Sequence, residues 1–515
     1  MTRLVTTALL ALILLLSWAT APTTVAARDG KADGRDAGDD PTSFLIVQID
    51  GLSEPVLRLA LESRAMPFVR GLVDGGSHTL GSWRTTAATA TPVTQAGLLH
   101  GNWRGIPAFR WWDRQTGQLL DFLDREQARV FAQSLEGPHD LLADGGASVT
   151  NLFSGGAPRV VLTATRLDGA AVAWELLRYV VDLPKDLVVV AGLADGMVAG
   201  LTRVIGGESA PLALGEIGRK APLPVVGPAL EWALVDVTAA AVARELQRRT
   251  PLIYATFTTY DEVGHYAGSA HPAAVDALGH IDDSLRSIHA AAERAGRPIQ
   301  LVILSDHGQT PGQPFTRRYG ETLEQVVRGL MSDRGAEPAE ADLPELIVAA
   351  SGNLAHVYFP VDGRRLDAAQ LEALHPGLID GLAAHPGIGV VGLQAADGYQ
   401  AMGAEGSREL ETGAVRGTDP LEPYGPLAAI SMANIVAPAS AGDLVLVATY
   451  EPVTEETSSF EPQLGSHGGI GGAQMEPFVL YPSALEPSDQ PLHLTGLDAL
   501  RSAIDRWLVS AQADP

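Results

Sequence analysis

The chain contains no cysteine, so disulfides add nothing to its stability and a thiolate is excluded as nucleophile or metal ligand. The same absence leaves no residue for a lipoprotein anchor, and by itself it identifies no compartment. Basic residues are scarce: 36 Lys and Arg stand against 61 Asp and Glu, a formal net charge of −25. Such a surface is repelled by the phosphate backbone that dominates nucleic-acid affinity, so no long nucleic acid is expected as a partner. No heptad, Gly-X-Y period or internal repeat runs through the chain, and with 46% apolar residues coiled coil, collagen and disorder are set aside. At 515 residues the chain suits one large α/β unit with insertions, or two domains.

What is present begins with an address. Arg3 supplies a positive start, Leu4 to Leu16 is nearly all apolar, and Val25-Ala26-Ala27 offers small residues for cleavage, the pattern of an export signal over residues 1–27. A secreted or extracytoplasmic protein is expected. Extension of the apolar stretch through Ser17-Trp18-Ala19 approaches the about 20 residues of a spanning helix, so an uncleaved anchor is the alternative. Residues 28–42, rich in Gly and Asp, read as a solvated linker, and a single catalytic domain is expected over residues 43–515.

Phe44–Ile49 is a short apolar run bounded by turn residues, as in a buried parallel strand. Leu252–Tyr260 and Gln300–Ser305 look alike. Between them, Pro272–Ala295 carries Val275, Leu278, Ile281, Leu285 and Ile288 at helical spacing. Strand, helix and strand make a βαβ unit, the building block of a parallel sheet sandwiched by helices. Residues 170–240 are apolar and poorly punctuated; Asp195 and Arg203 interrupt the run Val188–Ile205, which predicts a buried or interfacial helical insertion rather than a span. Residues 315–460 mix helical patterns with strands such as Ala355–Phe359 and Asp443–Thr449 and predict an inserted cap over the cleft. Leu497–Val509 reads as a closing helix.

Each of the three strands predicted from the apolar runs ends in an aspartate: Asp50, Asp261 and Asp306. Ligands of open parallel sheets gather outside the carboxyl ends of the strands, so the three carboxylates are expected in one crevice. His265 follows Asp261 by four residues, His307 follows Asp306 directly, and His467 stands far downstream in Gly465-Ser466-His467-Gly468. Six such side chains suffice for two divalent cations, three apiece, with positions left open. Zn²⁺ suits this nitrogen and carboxylate set best, with Mn²⁺ and Fe²⁺ also compatible with it. The other ten histidines lack this context and are read as ordinary polar residues. In Thr91–Gly101 a short helix is expected, with Thr91 at the N-cap, Pro92 at the first position and Gly101 past the end. A hydroxyl there faces free N–H groups and the positive end of the helix dipole, which suits an alkoxide or a phosphoryl group. Thr91 is thus either a cap or a nucleophile, with Thr89 and Thr94 as the other hydroxyls of the segment. Trp111 and Trp112 stand either at the cleft mouth or among core and surface aromatics.

In their order these residues resemble the alkaline phosphatase superfamily and, within it, the type I phosphodiesterase/nucleotide pyrophosphatase family. The matching elements are Ile49-Asp50-Gly51, Thr91 ten residues before Gly101, Asp261-Glu262-Val263-Gly264-His265, Ser305-Asp306-His307-Gly308 and Gly465-Ser466-His467-Gly468. The resemblance implies that Asp261, His265 and His467 hold one metal and Asp50, Asp306 and His307 the other, with Thr91 as nucleophile and ligand of the second. The family usually has Asn three residues after the nucleophile to bind a phosphoryl oxygen; here Thr94 stands in that place. The segment Ile106–Asp113 also departs from nucleotide-cleaving members.

The resemblance implies an alkaline phosphatase-like α/β fold and an exported two-metal phosphodiesterase acting on a small phosphoester through a phospho-threonine. A metal or base must lower the hydroxyl pKa for this chemistry, and two metals about 4 Å apart hold entering and leaving oxygens in line. The alternatives are a membrane-surface phospho-transferase or lipid-headgroup phosphohydrolase, associated through an uncleaved signal or the 170–240 stretch, and a non-catalytic metal-binding protein. Trp111, Trp112 and the acidic surface all point to diesters carrying an aromatic or lipid-like group.

Overall fold

Ser43–Ile49 lies in the middle of an eight-stranded sheet and is buried along its whole length. Its side chains alternate between two cores: Leu45, Val47 and Ile49 enter one, Phe44 and Ile46 the other. A strand covered on both faces loses the apolar–polar alternation of a half-exposed one, which is why it reads as a continuous apolar run. This computed structural model describes residues 42–166, 226–331, 346–361, 363–488 and 490–513.

In order across the sheet the strands are His493–Thr495, His78–Arg84, Phe478–Pro482, Ile299–Leu304, Ser43–Ile49, Leu252–Phe257, Ala147–Val149 and Arg159–Val161. Phe478–Pro482 runs antiparallel to both neighbours, and every other pairing is parallel. The sheet is mostly parallel and lies between helices, the expected α/β class. One face carries Glu54–Glu62, Val226–Gln247, Thr259–Ala267 and Pro272–Arg294; the other carries the segment from Thr91 to His100 and the helix Leu497–Ala513. Strands Leu252–Phe257 and Ile299–Leu304 are parallel, but they are not neighbours: Ser43–Ile49 lies between them, with Ile46 opposite both Tyr254 and Val302. The crossover helix therefore spans a strand laid down earlier in the chain.

Within 315–460 a second sheet forms, seven strands from Ile347–Ser351 to Leu444–Ala448, all antiparallel. The turn between its first two strands reaches back to the main sheet's side. Asn353 Oδ1 accepts from the Gly469 N–H at 2.9 Å, and Asn353 Nδ2 donates to the Ile470 carbonyl at 3.2 Å. His356, on the next strand, donates from Nε2 to the Pro107 carbonyl at 3.3 Å and accepts the Gly442 N–H on Nδ1 at 3.0 Å.

The expected export signal, the linker through residue 41 and residues 170–225 of the expected insertion lie outside the described residues. The remainder of that insertion belongs to Val226–Gln247, which packs against Pro272–Arg294. Among the described residues no helix is long and apolar enough to cross a membrane.

Candidate active site

Parallel registration brings three strand ends level: Ile49 pairs with Phe257, and Gln48 with Leu304. Asp50 follows the first strand and Asp306 lies two residues past the third, both buried. Asp261 does not end its strand as expected. The strand stops at Phe257, Thr258 turns helical, and Asp261 sits in the first turn of helix Thr259–Ala267. The β-branched pair Thr258-Thr259 imitates strand continuation in the sequence, while the helix start is set by tertiary packing. Helical geometry then puts His265 on the same face as Asp261, its Nε2 3.0 Å from Asp261 Oδ2.

Gly51 allows the carboxylates to converge. Its φ is +71°, its N–H donates to Asp306 Oδ1 at 3.2 Å, and a Cβ on it would lie 2.1 Å from Asp261 Oδ1. Any side chain here would both strain the backbone and occupy the space of the second aspartate.

Thr91 is half-buried at the start of the segment Thr91–Gln95, which continues as a π-helical turn over Ala96–His100 and ends at Gly101 in the left-handed region. The N-cap is Ala90, so Thr91 is the first helical residue rather than the cap; the cap lies one residue earlier because Ala90 holds the extended φ and ψ. Thr91 Oγ1 lies 3.3 Å from Asp50 Oδ1 and 3.3 Å from His307 Nε2. The helix is pinned to the sheet by Gln95, whose Nε2 donates to Gln48 Oε1 at 3.3 Å and Thr256 Oγ1 at 3.2 Å.

The three histidines share one arrangement. Nδ1 of His265 meets the Gly465 carbonyl at 2.8 Å, Nδ1 of His307 the Gly308 carbonyl at 3.0 Å, and Nδ1 of His467 the Thr89 carbonyl at 2.6 Å. A carbonyl only accepts, so each Nδ1 carries the proton and each Nε2 is directed to the carboxylates. His467 Nε2 lies 3.2 Å from His265 Nε2 and 3.6 Å from Asp261 Oδ1. His307 Nε2 lies 3.3 Å from Asp306 Oδ2 and 3.7 Å from Asp50 Oδ1. The His307 and His467 rings stack at 3.8 Å between centroids, so the two ligand sets form one continuous centre. His307 is close enough to belong with Asp261 and His467 as well as with Asp50 and Asp306.

Electrostatics shows what the cluster would accept. Burial, with Asp306 and Asp261 alongside, pushes Asp50 well above the usual carboxylate range. Burial pulls the His307 ring down to about 4. It also opposes charge on His265, but Asp261 overcomes it and raises that ring to about 10. Burial acts upward on Asp261, yet His265 and His467 hold it well below its ordinary value. Among the described residues the buried Asp306 Oδ2 has no hydrogen-bond partner. Three buried carboxylates with an orphaned oxygen, faced by three Nε2 atoms, fit divalent cations. Nitrogen and oxygen donors about 2.0–2.1 Å from a tetrahedral ion stand about 3.3 Å apart, and the separations above cluster around that spacing.

The tentative substrate contacts fare differently. Thr94 is buried and its hydroxyl donates to the Asp306 carbonyl at 3.1 Å, so that donor is directed into the fold rather than at a substrate. Trp111 is core: its ring meets Phe131 edge-on at 5.3 Å between centroids and Phe122 at 5.6 Å. Trp112, on the same short strand Arg110–Asp113, is half-buried and packs on that cluster. Trp111 therefore offers no open face at a cleft mouth, whereas Trp112 keeps part of its surface accessible. None of the other ten histidines joins either metal-type group among the described residues.

Gln309 escaped the sequence reading, which took Thr89 only as another hydroxyl of the segment, so the supporting roles of both emerge from the structure. Thr89 Oγ1 accepts the Gly468 N–H at 2.7 Å and lies 2.8 Å from Gln474 Oε1. Gln309 Nε2 donates to Asp261 Oδ1 at 2.6 Å. Their partners are remote in sequence, and no local signal marks either supporting role.

The fold and this centre define a metal-dependent hydrolase of phosphoric esters. The sequence model of the type I phosphodiesterase / nucleotide pyrophosphatase family matches residues 44–419, and the chain belongs to that family. His467 lies beyond the matched span and is brought in by the tertiary structure. No curated protein matches the chain in sequence. Among solved structures, phosphonoacetate hydrolase from Sinorhizobium meliloti 1021 with phosphonoformate is 17% identical, covering 93% of this chain and 98% of its own at a TM-score of 0.49. The same hydrolase with phosphonoacetate is 16% identical over the same shares, with a TM-score of 0.47.

Proposed function

We propose that this hydrolase is an exported phosphodiesterase that acts on a small phosphoester through a phospho-threonine on Thr91. Asp261, His265 and His467 would hold one divalent cation and Asp50, Asp306 and His307 the other, Zn²⁺ being the metal best suited to the donors. The observation that carries this reading is Thr91 Oγ1, on a half-buried residue and 3.3 Å from both Asp50 Oδ1 and His307 Nε2. The cations would offset the buried carboxylates, acidify the hydroxyl and polarise the phosphoryl oxygens. Asp50 Oδ1 receives the Thr91 O–H and orients the oxygen. That oxygen attacks phosphorus, the bond to the leaving oxygen breaks, and the threonine proton leaves with the departing alcohol. Water then attacks the phospho-threonine and restores the hydroxyl.

Diesters are favoured over monoesters because the chain is strongly acidic and a diester brings one negative charge where a monoester brings nearly two. Export rests on the sequence of residues 1–27. Acid-quenched protein digested and weighed by mass spectrometry should carry the substrate-derived phosphoryl group on the peptide containing Thr91. Purified protein should show higher kcat/KM on aryl diesters than on the matching monoesters; the reverse order would replace phosphodiesterase with phosphatase.

A further inference from the structure

Gln309 directly follows the Ser305–Gly308 run and is fully buried. Its Nε2 donates twice to one residue, to Asp261 Oδ1 at 2.6 Å and to the Asp261 carbonyl at 2.8 Å. These bonds fix the orientation of the amide, since turning it over would set Oε1 against two acceptor oxygens. Oε1 points away from Asp261 and has no hydrogen-bond partner among the described residues.

On the Oε1 side two glycines close around the amide. A Cβ on Gly264 would come within 2.1 Å of Oε1, and a Cβ on Gly465 within 2.2 Å. A glycine Cα–H stands where that Cβ would be, so Oε1 is faced by one Cα–H from each, the weak donors that recur where backbones approach closely. Gly264 lies within helix Thr259–Ala267, a place where glycine is disfavoured relative to alanine. Outside its own helix, the three atoms nearest to a Cβ there all belong to the Gln309 side chain.

We propose that Gln309 is a positioning residue for the metal centre: its amide fixes the Asp261 carboxylate toward His265 and His467, and Gly264 is a glycine because that amide occupies the space of its Cβ. One side chain thereby ties together the segments carrying Asp261, His307 and His467. The proposal rests on reading the carboxylate–histidine cluster as a divalent-metal site.

Two measurements on the full chain test it. In Gln309→Met, which keeps side-chain length but loses both donors, the affinity of the metal-stripped protein for Zn²⁺ should fall by about 10-fold or more, read by competition with a chromophoric chelator. Gln309→Ala should show the same loss. Zn²⁺ affinity equal to the parent's in the folded variants would mean that the amide only fills space, and would overturn the positioning role while leaving the hydrolase reading intact. A parent chain that binds no divalent cation would overturn the metal-site reading and this role with it. Independently of metal, Gly264→Ala should lower Tm, and Gly264→Ala combined with Gln309→Ala should lie above the sum of the two single changes. Strict additivity would overturn the account of Gly264.

Discussion

The Nδ1–H of His467 donates to the carbonyl of Thr89 at 2.6 Å, across 378 residues of sequence. The same threonine's hydroxyl takes the Gly468 N–H and reaches the Gly469 carbonyl at 3.1 Å. Two residues before Thr91, Thr89 thus locks the downstream histidine loop to the segment bearing Thr91. Its hydroxyl is buried and fully engaged, which removes it as an alternative nucleophile.

Thr89→Val keeps the shape but strands the Gly468 N–H, so stability should drop by about 1–3 kcal/mol, measured by urea unfolding. The backbone carbonyl still holds His467, so turnover should fall much less than it does on loss of the Thr91 hydroxyl. Unchanged stability would show that the loop is held by other contacts.

Thr91→Ala should reduce turnover of any phosphoester by about 10³-fold or more with metal content nearly unchanged. Activity close to the parent's would rule out the threonine intermediate.

Stripping metal with a chelator should lower stability. A cation present at about 100 times its Kd adds about 2.7 kcal/mol to the folded state, and Asp50, Asp261 and Asp306 would lose their compensating charge. Thermal unfolding that is identical before and after chelation would contradict two structural cations.

Burial holds His356 down at about 3, against about 6.5 in an unfolded chain. Its stabilising contribution is complete above about pH 6.5. Below that the unfolded chain takes up a proton that the folded chain refuses, and stability falls as pH drops toward 3. In His356→Gln the loss of stability between pH 7 and pH 5 should shrink by about 2 kcal/mol, read from urea midpoints at the two pH values. An unchanged loss would mean that the ring does not stay neutral in the fold.

Trp111→Ala should cost about 3–5 kcal/mol of stability and leave the ratio of kcat/KM for aryl and alkyl diesters as it is in the parent. A selective loss of aryl substrates would return this ring to the cleft.

The strands, the long crossover helix and most of the carboxylate and histidine side chains that cluster at the strand ends were legible in the sequence because each depends on local order. An apolar run runs into Asp50, one helical turn separates Asp261 from His265, and Asp306 adjoins His307. Spacing along the chain is enough to suggest such features. Tertiary structure alone decided that Ser43–Ile49 separates the two later strands, that Asp261 stands on a helix, that Thr94 and Trp111 turn inward, and that Thr89 and Gln309 hold His467 and Asp261. Each of these depends on partners tens to hundreds of residues away, and a buried donor or acceptor takes whichever partner the sheet order brings within about 3 Å. Periodicity in a single chain carries no information about that order, because the same local pattern satisfies either face of a strand until packing chooses between them.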